Sequence, residues 1–221
     1  MAYMEHVADV NGGTGSVQEY SSWTDTTQYG STLYKTYQFT VSEAAGCTFV
    51  RWEVRSRYSY STSDGSSTGT WSSWSTLSTS ANFTRDFECA AESHGSIWGD
   101  SQSWYDREVR AVFTQNTYAV AVQVSADSPN GSGSVSGGGS FHYGDSCTVT
   151  ATASSGFKFK KWTTSDSAQA AALSTISSYT FTVTANVTLY AHFKVGGTGQ
   201  LIHGSSNTLL HGSSGTLLYD D

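Results

Sequence analysis

The chain has 221 residues, of which 13% are charged and 14% aromatic, and its formal net charge is −7. An acidic chain with only 11 Lys and Arg residues is ill suited to clustered phosphate contacts, so no nucleic-acid partner is expected. No window approaches the ~20 apolar residues of a membrane span, so no membrane insertion is expected. Ser, Thr, Gly and aromatic residues dominate beside a single proline, a mixture that suits strands and turns.

The N-terminus, Met1-Ala2-Tyr3-Met4-Glu5-His6, has neither the basic nor the apolar region of a secretory signal. For a composition of extracellular type, either a signal has been removed or the protein reaches the outside without one. A virion protein released by lysis fits the second case. Next come Gly13-Thr14-Gly15-Ser16-Val17 and Gly46-Cys47-Thr48-Phe49-Val50-Arg51-Trp52. Cys47 and Cys89 could pair, but the odd total of three cysteines favours free, buried thiols, with Cys147 on the apolar face of a strand.

Arg51, Arg55, Arg57, Tyr58 and Tyr60 sit on a predicted strand, followed by the loop Ser63–Gly69 and by Trp71-Ser72-Ser73-Trp74-Ser75. Tryptophans three apart fall on opposite faces of a flat strand but align on a polyproline-II stretch of three residues per turn. Arginines of the neighbouring strand could then intercalate between them by cation–π contact. The pentapeptide resembles the W-S-x-W-S box of cytokine-receptor fibronectin-type modules, which implies such a local ladder rather than a receptor. The other reading is an exposed aromatic platform for sugar rings. Trp71, Trp74, Tyr58, Tyr60, Trp98 and Trp104 are therefore the candidate glycan-contact residues. Asp86, Glu88, Glu92, Asp100 and Asp106 gather in the same region and read as solvated loop charges. The first half closes on Glu108-Val109-Arg110-Ala111-Val112-Phe113.

The second half repeats the order. Gly131-Ser132-Gly133-Ser134-Val135 is followed by Gly156-Phe157-Lys158-Phe159-Lys160-Lys161-Trp162 and closes on Ala191-His192-Phe193. Strands are predicted where Val120, Val122 and Val124 alternate, and likewise Val149, Ala151 and Ala153, then Phe181, Val183 and Ala185. Gly137-Gly138-Gly139 reads as a flexible hairpin loop, and Ala168–Leu173 as the one helical turn. Both repeat tryptophans, Trp52 and Trp162, read as core anchors.

The shared pattern of G-x-V, then G-x-x-F-x-x-W, then A-x-F resembles the internalin-type B-repeat family of bacterial and phage surface proteins. The resemblance is good over Tyr118 to Lys194 and loose over His6 to Thr114. It implies small β-modules in tandem, β-grasp-like or β-sandwich-like, with no catalytic residues, metal or cofactor to transfer. The expected fold is all-β: residues 1–116 as a diverged module opened by an aromatic hairpin, residues 117–195 as a compact repeat, and residues 196–221 as a tail.

That tail repeats every eight residues, as Leu201-Ile202-His203-Gly204 and then Leu209-Leu210-His211-Gly212, ending on Leu217-Leu218-Tyr219. Three short rungs cannot bury their own apolar faces. Leu201, Ile202, Leu209, Leu210, Leu217, Leu218 and Tyr219 are therefore expected to make assembly contacts, with a homo-oligomer or with other virion or surface proteins. The recurrence of His203 and His211 follows from the repeat and needs no metal. Gly65-Ser66-Ser67-Thr68-Gly69 has the form G-x-S-x-G but lacks the strand-to-helix elbow of a catalytic serine. No enzyme activity is expected. The reading is a phage virion surface protein (head decoration, head fibre or tail-associated fibre), with a bacterial cell-surface adhesin fragment or a carbohydrate-binding module as alternatives.

Overall fold

The computed structural model describes residues 3–96 and 99–196 with the short segments 202–203, 209–210 and 217–218. The chain divides into two compact units, Met1–Asn116 and Thr117–Asp221. It is all-β.

The first unit contains β1 (Met4–His6), β2 (Thr14–Thr27), β3 (Gly30–Ser42), β4 (Cys47–Thr62), β5 (Gly65–Thr68), β6 (Ser75–Ser78), β7 (Phe83–Ser96) and β8 (Gly99–Gln115). Their order is β2-β3-β7-β8-β4-β5, with β1 parallel to β8 and β6 against β4. Near the termini of the unit the strands form two layers around Tyr37, Phe39, Trp52, Phe87, Cys89, Val109, Ala111 and Phe113. Farther out the layers fuse. One row of cross-strand partners runs Thr24, Leu33, Ala90, Trp104, Ser59, Thr68, so six strands continue as a single-layer blade. The edge of β8 is shared: β7 pairs with Gly99–Trp104, and β1 with Arg107–Val109.

The second unit contains β9 (Thr117–Val124), β10 (Gly133–Ser136), β11 (Gly139–His142), β12 (Ser146–Ala153), β13 (Phe157–Thr163), β14 (Ser178–Thr182) and β15 (Val187–Val195). Two sheets, β11-β9-β15-β13 and β10-β12-β14, enclose one core of Val120, Cys147, Val149, Ala151, Trp162, Val183, Leu189, Ala191 and Phe193. The alternation of Cys147, Val149 and Ala151 along β12 supplies one face of it.

The two units are built on one plan. In each, a first strand runs parallel to the last and an antiparallel partner closes its other side. Phe49 opposes Phe113 and Trp52 opposes Ala111; Phe159 opposes Phe193 and Trp162 opposes Ala191. Each pairing skips one residue, Val50 or Lys160, and that bulge brings residues three apart onto one face. The rings repeat too: Phe49–Phe113 and Phe159–Phe193 both meet edge to face at 5.9 Å. Trp52 Nε1 donates to Ala81 O and Trp162 Nε1 to Ser177 O, each at 3.1 Å. The first unit differs in its long strands, 13–17 residues in β2, β3, β4, β7 and β8, and in the added β5 and β6.

Two local expectations are corrected. Gly137–Gly139 is not a hairpin loop, because β10 and β11 lie in different sheets. It is a tight corner: Gly137 has φ +98° and a Cβ there would lie 2.2 Å from Thr148 O. Ala168–Leu173 forms no helix; Lys161 Nζ donates to the Ala168 and Ala170 carbonyls, which a helix would need for itself. In the tail, β16 (Ile202–His203), β17 (Leu209–Leu210) and β18 (Leu217–Leu218) pair antiparallel in sequence. Leu201 and Tyr219, and the side chains of these strands, lie outside the described residues.

Candidate functional site

The tryptophans sort by what occupies their rings. Trp52 and Trp162 are fully buried. Trp23 stacks on Tyr34 at 4.3 Å. Trp98 lies outside the described residues. Trp71, Trp74 and Trp104 remain, and they differ in kind.

Trp71 and Trp74 stand in a ladder. Arg57 lies 4.9 Å from the Trp71 ring, Arg55 5.2 Å from Trp71 and 4.9 Å from Trp74, and Arg110 4.2 Å from Trp74. Each indole thus has two guanidinium partners. The backbone between β5 and β6 sets the spacing. Gly69 N–H donates to Tyr58 O and Ser72 N–H to Ser56 O, and Ser75 pairs with Val54. Three residues of this strip pass for every two of β4, the pitch that aligns Trp71 with Trp74. Gly69 is required there, since a Cβ would lie 2.6 Å from Tyr58 O.

The arginines are fixed by carboxylates across the β4–β8 pair. Arg57 Nε donates to Asp106 Oδ2 at 2.9 Å, Arg55 Nε to Glu108 Oε2 at 2.6 Å, and Arg110 Nε to Glu53 Oε2 at 2.9 Å. Burial pushes the Glu53 carboxyl up, but hydrogen bonds and charge from Arg51 and Arg110 outweigh it and hold the group below the ordinary carboxylate range. Arg55 and Arg57 are legible in the sequence, but Arg110, Glu53 and Glu108 are not, and Asp106, expected as a solvated loop charge, is buried on β8 and paired with Arg57. Their alternation in Asp106-Arg107-Glu108-Val109-Arg110 is the signal that matched them to β4.

Trp104 is only partly buried, and among the described residues its ring stacks on no other ring or cation. It lies beside a groove of about 420 Å³ on the blade, lined also by Leu33, Lys35, Ser61, Ala90, Glu92 and Gln102. Gln102 Nε2 donates to Glu92 Oε1 at 3.1 Å, and Lys35 Nζ to Glu19 Oε2 at 2.9 Å. Tyr58 and Tyr60 are 45% and 43% exposed on the same strand as Ser61, and Tyr58 contacts Tyr105 at 5.1 Å. The predicted aromatics therefore fall in three places: the ladder, the blade face that carries Trp104, and the opposite face that carries Tyr58 and Tyr60. Lys35, Glu92 and Gln102 join Trp104 only through cross-strand register, which composition does not reveal.

Other chemistry is confined. All three cysteines are free, which removes the Cys47–Cys89 pair. Among the described residues no cluster of His, Cys, Asp and Glu could hold a metal ion. Gly65–Thr68 is an exposed edge strand. In the second unit Thr163 Oγ1, His192 Nε2 and Nδ1, and Asp127 Oδ1 form a chain at 2.8 and 2.6 Å. That order resembles a nucleophile, base and carboxylate, but Thr163 and His192 are both 0% exposed and the Thr163 hydroxyl also meets Ser165 O at 2.6 Å. The chain instead fastens the turn after β9 to β13 and β15.

Comparison with known proteins agrees with the repeat geometry in the second unit. No curated protein and no solved structure matches the chain. Residues 120–197 match the family model of the divergent InlB B-repeat domain, so this segment is similar to a repeat of the surface-protein kind.

Proposed function

We infer that this chain is a non-enzymatic surface protein, with the second unit as a spacing repeat and the blade of the first unit presented for contact. The B-repeat match over residues 120–197 carries this reading. The shared plan of the two units supports it, because the first unit departs from the plan chiefly by growing a blade.

The narrower setting we propose is a phage virion surface, as head decoration, head fibre or tail-associated fibre. The octad tail supports it, since its three two-residue strands present a small sheet suited to docking on a sister copy or another structural protein. The family match serves a bacterial cell-surface adhesin equally well. Immunogold labelling decides between them: label on purified particles supports the virion, and label on intact cells alone supports the adhesin. Label on neither particles nor intact cells, with label only inside sectioned cells, overturns the surface reading. Size-exclusion chromatography of the chain with and without residues 196–221 tests the tail. An oligomer that dissociates on truncation is expected, and an unchanged profile refutes tail-driven self-association.

A further inference from the structure

We propose that the groove beside Trp104 is a binding site for a neutral saccharide, with the indole as the stacking surface. The proposal deepens the surface-contact reading by naming what the blade touches, and it holds whether the surface is a virion's or a cell's.

A sugar ring stacks through its C–H face on an open aromatic face. Trp71 and Trp74 offer their faces to arginines, Trp52 and Trp162 are in cores, and Trp23, 46% exposed, has one face taken by Tyr34. Among the described tryptophans, Trp104 alone has neither a stacked partner nor full burial.

The groove has the size and chemistry to use that ring. Its volume of about 420 Å³ falls within the range of small-ligand sites. Leu33, Ala90 and Trp104 supply apolar surface, and Ser61, Glu92, Gln102 and Lys35 supply donors and acceptors around it. That mixture fits a ligand with apolar faces and a hydroxyl rim. The two charges in the lining are one cation and one carboxylate, and each already has a partner in Glu19 or Gln102. Neither sign is in excess, so the site is matched to an uncharged ligand and its affinity is insensitive to salt. The groove is built on strands rather than loops. Leu33, Ala90 and Trp104 are direct cross-strand partners, so the stacking surface is held by the ladder of hydrogen bonds beneath it.

The test uses the full chain labelled with 5-fluorotryptophan, with the Trp104 signal assigned from Trp104→Phe. Maltotetraose, cellotetraose and N-acetylchitotetraose are titrated separately and followed by fluorine NMR. The Trp104 signal is expected to shift saturably with at least one sugar, unchanged by added salt, while the Trp71 and Trp74 signals stay in place. Gln102→Ala, at an exposed position that leaves the fold intact, is expected to weaken binding about fivefold, the loss of one hydrogen bond. Trp104→Ala is expected to abolish it, with circular dichroism confirming the strand content. If no sugar moves the Trp104 signal, or if binding survives both substitutions, the proposal fails. Saccharide binding by the purified chain does not depend on where the protein resides, so this failure is distinct from failure of the surface reading.

Discussion

Asp127 and His192, 65 residues apart in the chain, meet with Asp127 Oδ1 2.6 Å from His192 Nδ1. An ionised carboxylate can only accept, so the proton of this bond sits on Nδ1. His192 is fully buried, and removing its partner strands a ring N–H away from water. Asp127→Ala is expected to destabilise the protein by about 1–3 kcal/mol, and Asp127→Asn, which keeps an acceptor, by less. Urea unfolding followed by tryptophan fluorescence checks the order; equal losses would show that the contact contributes only bulk.

The same turn gives an acid dependence. Burial pushes the Asp127 carboxyl up, but the His192 N–H at 2.6 Å and the nearby His192 and Lys160 charges bring it below the ordinary range. Asp166 is lowered by the Ser125 hydroxyl and the Ala126 N–H. A carboxyl lowered in the folded state stabilises fully above its unfolded value, about 3.9 for Asp, and that contribution is lost as pH falls through the folded value. Melting temperature should therefore hold steady down to about pH 5 and drop below about pH 4. The double variant Asp127→Asn, Asp166→Asn should show a shallower drop.

In the ladder, shape matters as well as charge. Arg55 contacts two indoles and Glu108 at once. Lysine keeps the charge but loses the planar surface and the fork, so Arg55→Lys should cost about 1–2 kcal/mol. The measurement is chemical denaturation together with the near-ultraviolet dichroism of the tryptophans. A variant as stable as the parent would mean that the stack contributes only electrostatics.

Gly133 tests the packing of the repeat. A Cβ at this position would lie 2.5 Å from the Phe193 ring and 2.6 Å from Thr152 O, so Gly133→Ala should cost more than about 2 kcal/mol. A Cβ at Gly13 would lie 2.5 Å from the Phe113 ring, and Gly13 has φ +95°, so Gly13→Ala carries a backbone penalty in addition. Differential scanning calorimetry should show a lowered transition for both.

Ser59 predicts the opposite sign. It is fully buried, and among the described residues its hydroxyl has no hydrogen-bond partner. Ser59→Ala removes an unpaired polar group and should leave stability unchanged or raise it by about 1 kcal/mol. A clear loss on thermal melting would reveal a partner for that hydroxyl.

Much of this architecture can be read from spacing alone. Trp52 and Trp162 follow a phenylalanine by three residues, and each closing strand ends Ala-x-Phe; these positions are the ones that meet in the cores. The arginine ladder was foreseeable from Arg55, Arg57 and the three-residue tryptophan step. What sequence could not supply was register between distant strands. Leu33, Ala90 and Trp104 become neighbours only because a bulge at Cys89 and the β7–β8 pairing align them. The glycine corner at 137–139 misled for a related reason: glycine run and hairpin are locally alike, and only the sheet to which each flanking strand belongs separates them.

The fusion of two layers into one blade also sets how such a protein can change length. Side chains alternate faces with a period of two. Adding two residues to each strand beyond the core would extend the blade and leave the buried row where it is. Adding one would turn the far surface over, exchanging the side that carries Trp104 for the side that carries Tyr58 and Tyr60. The reach of this unit is therefore adjustable only in steps of two, and a bulge is the one device that lets a strand break that rule.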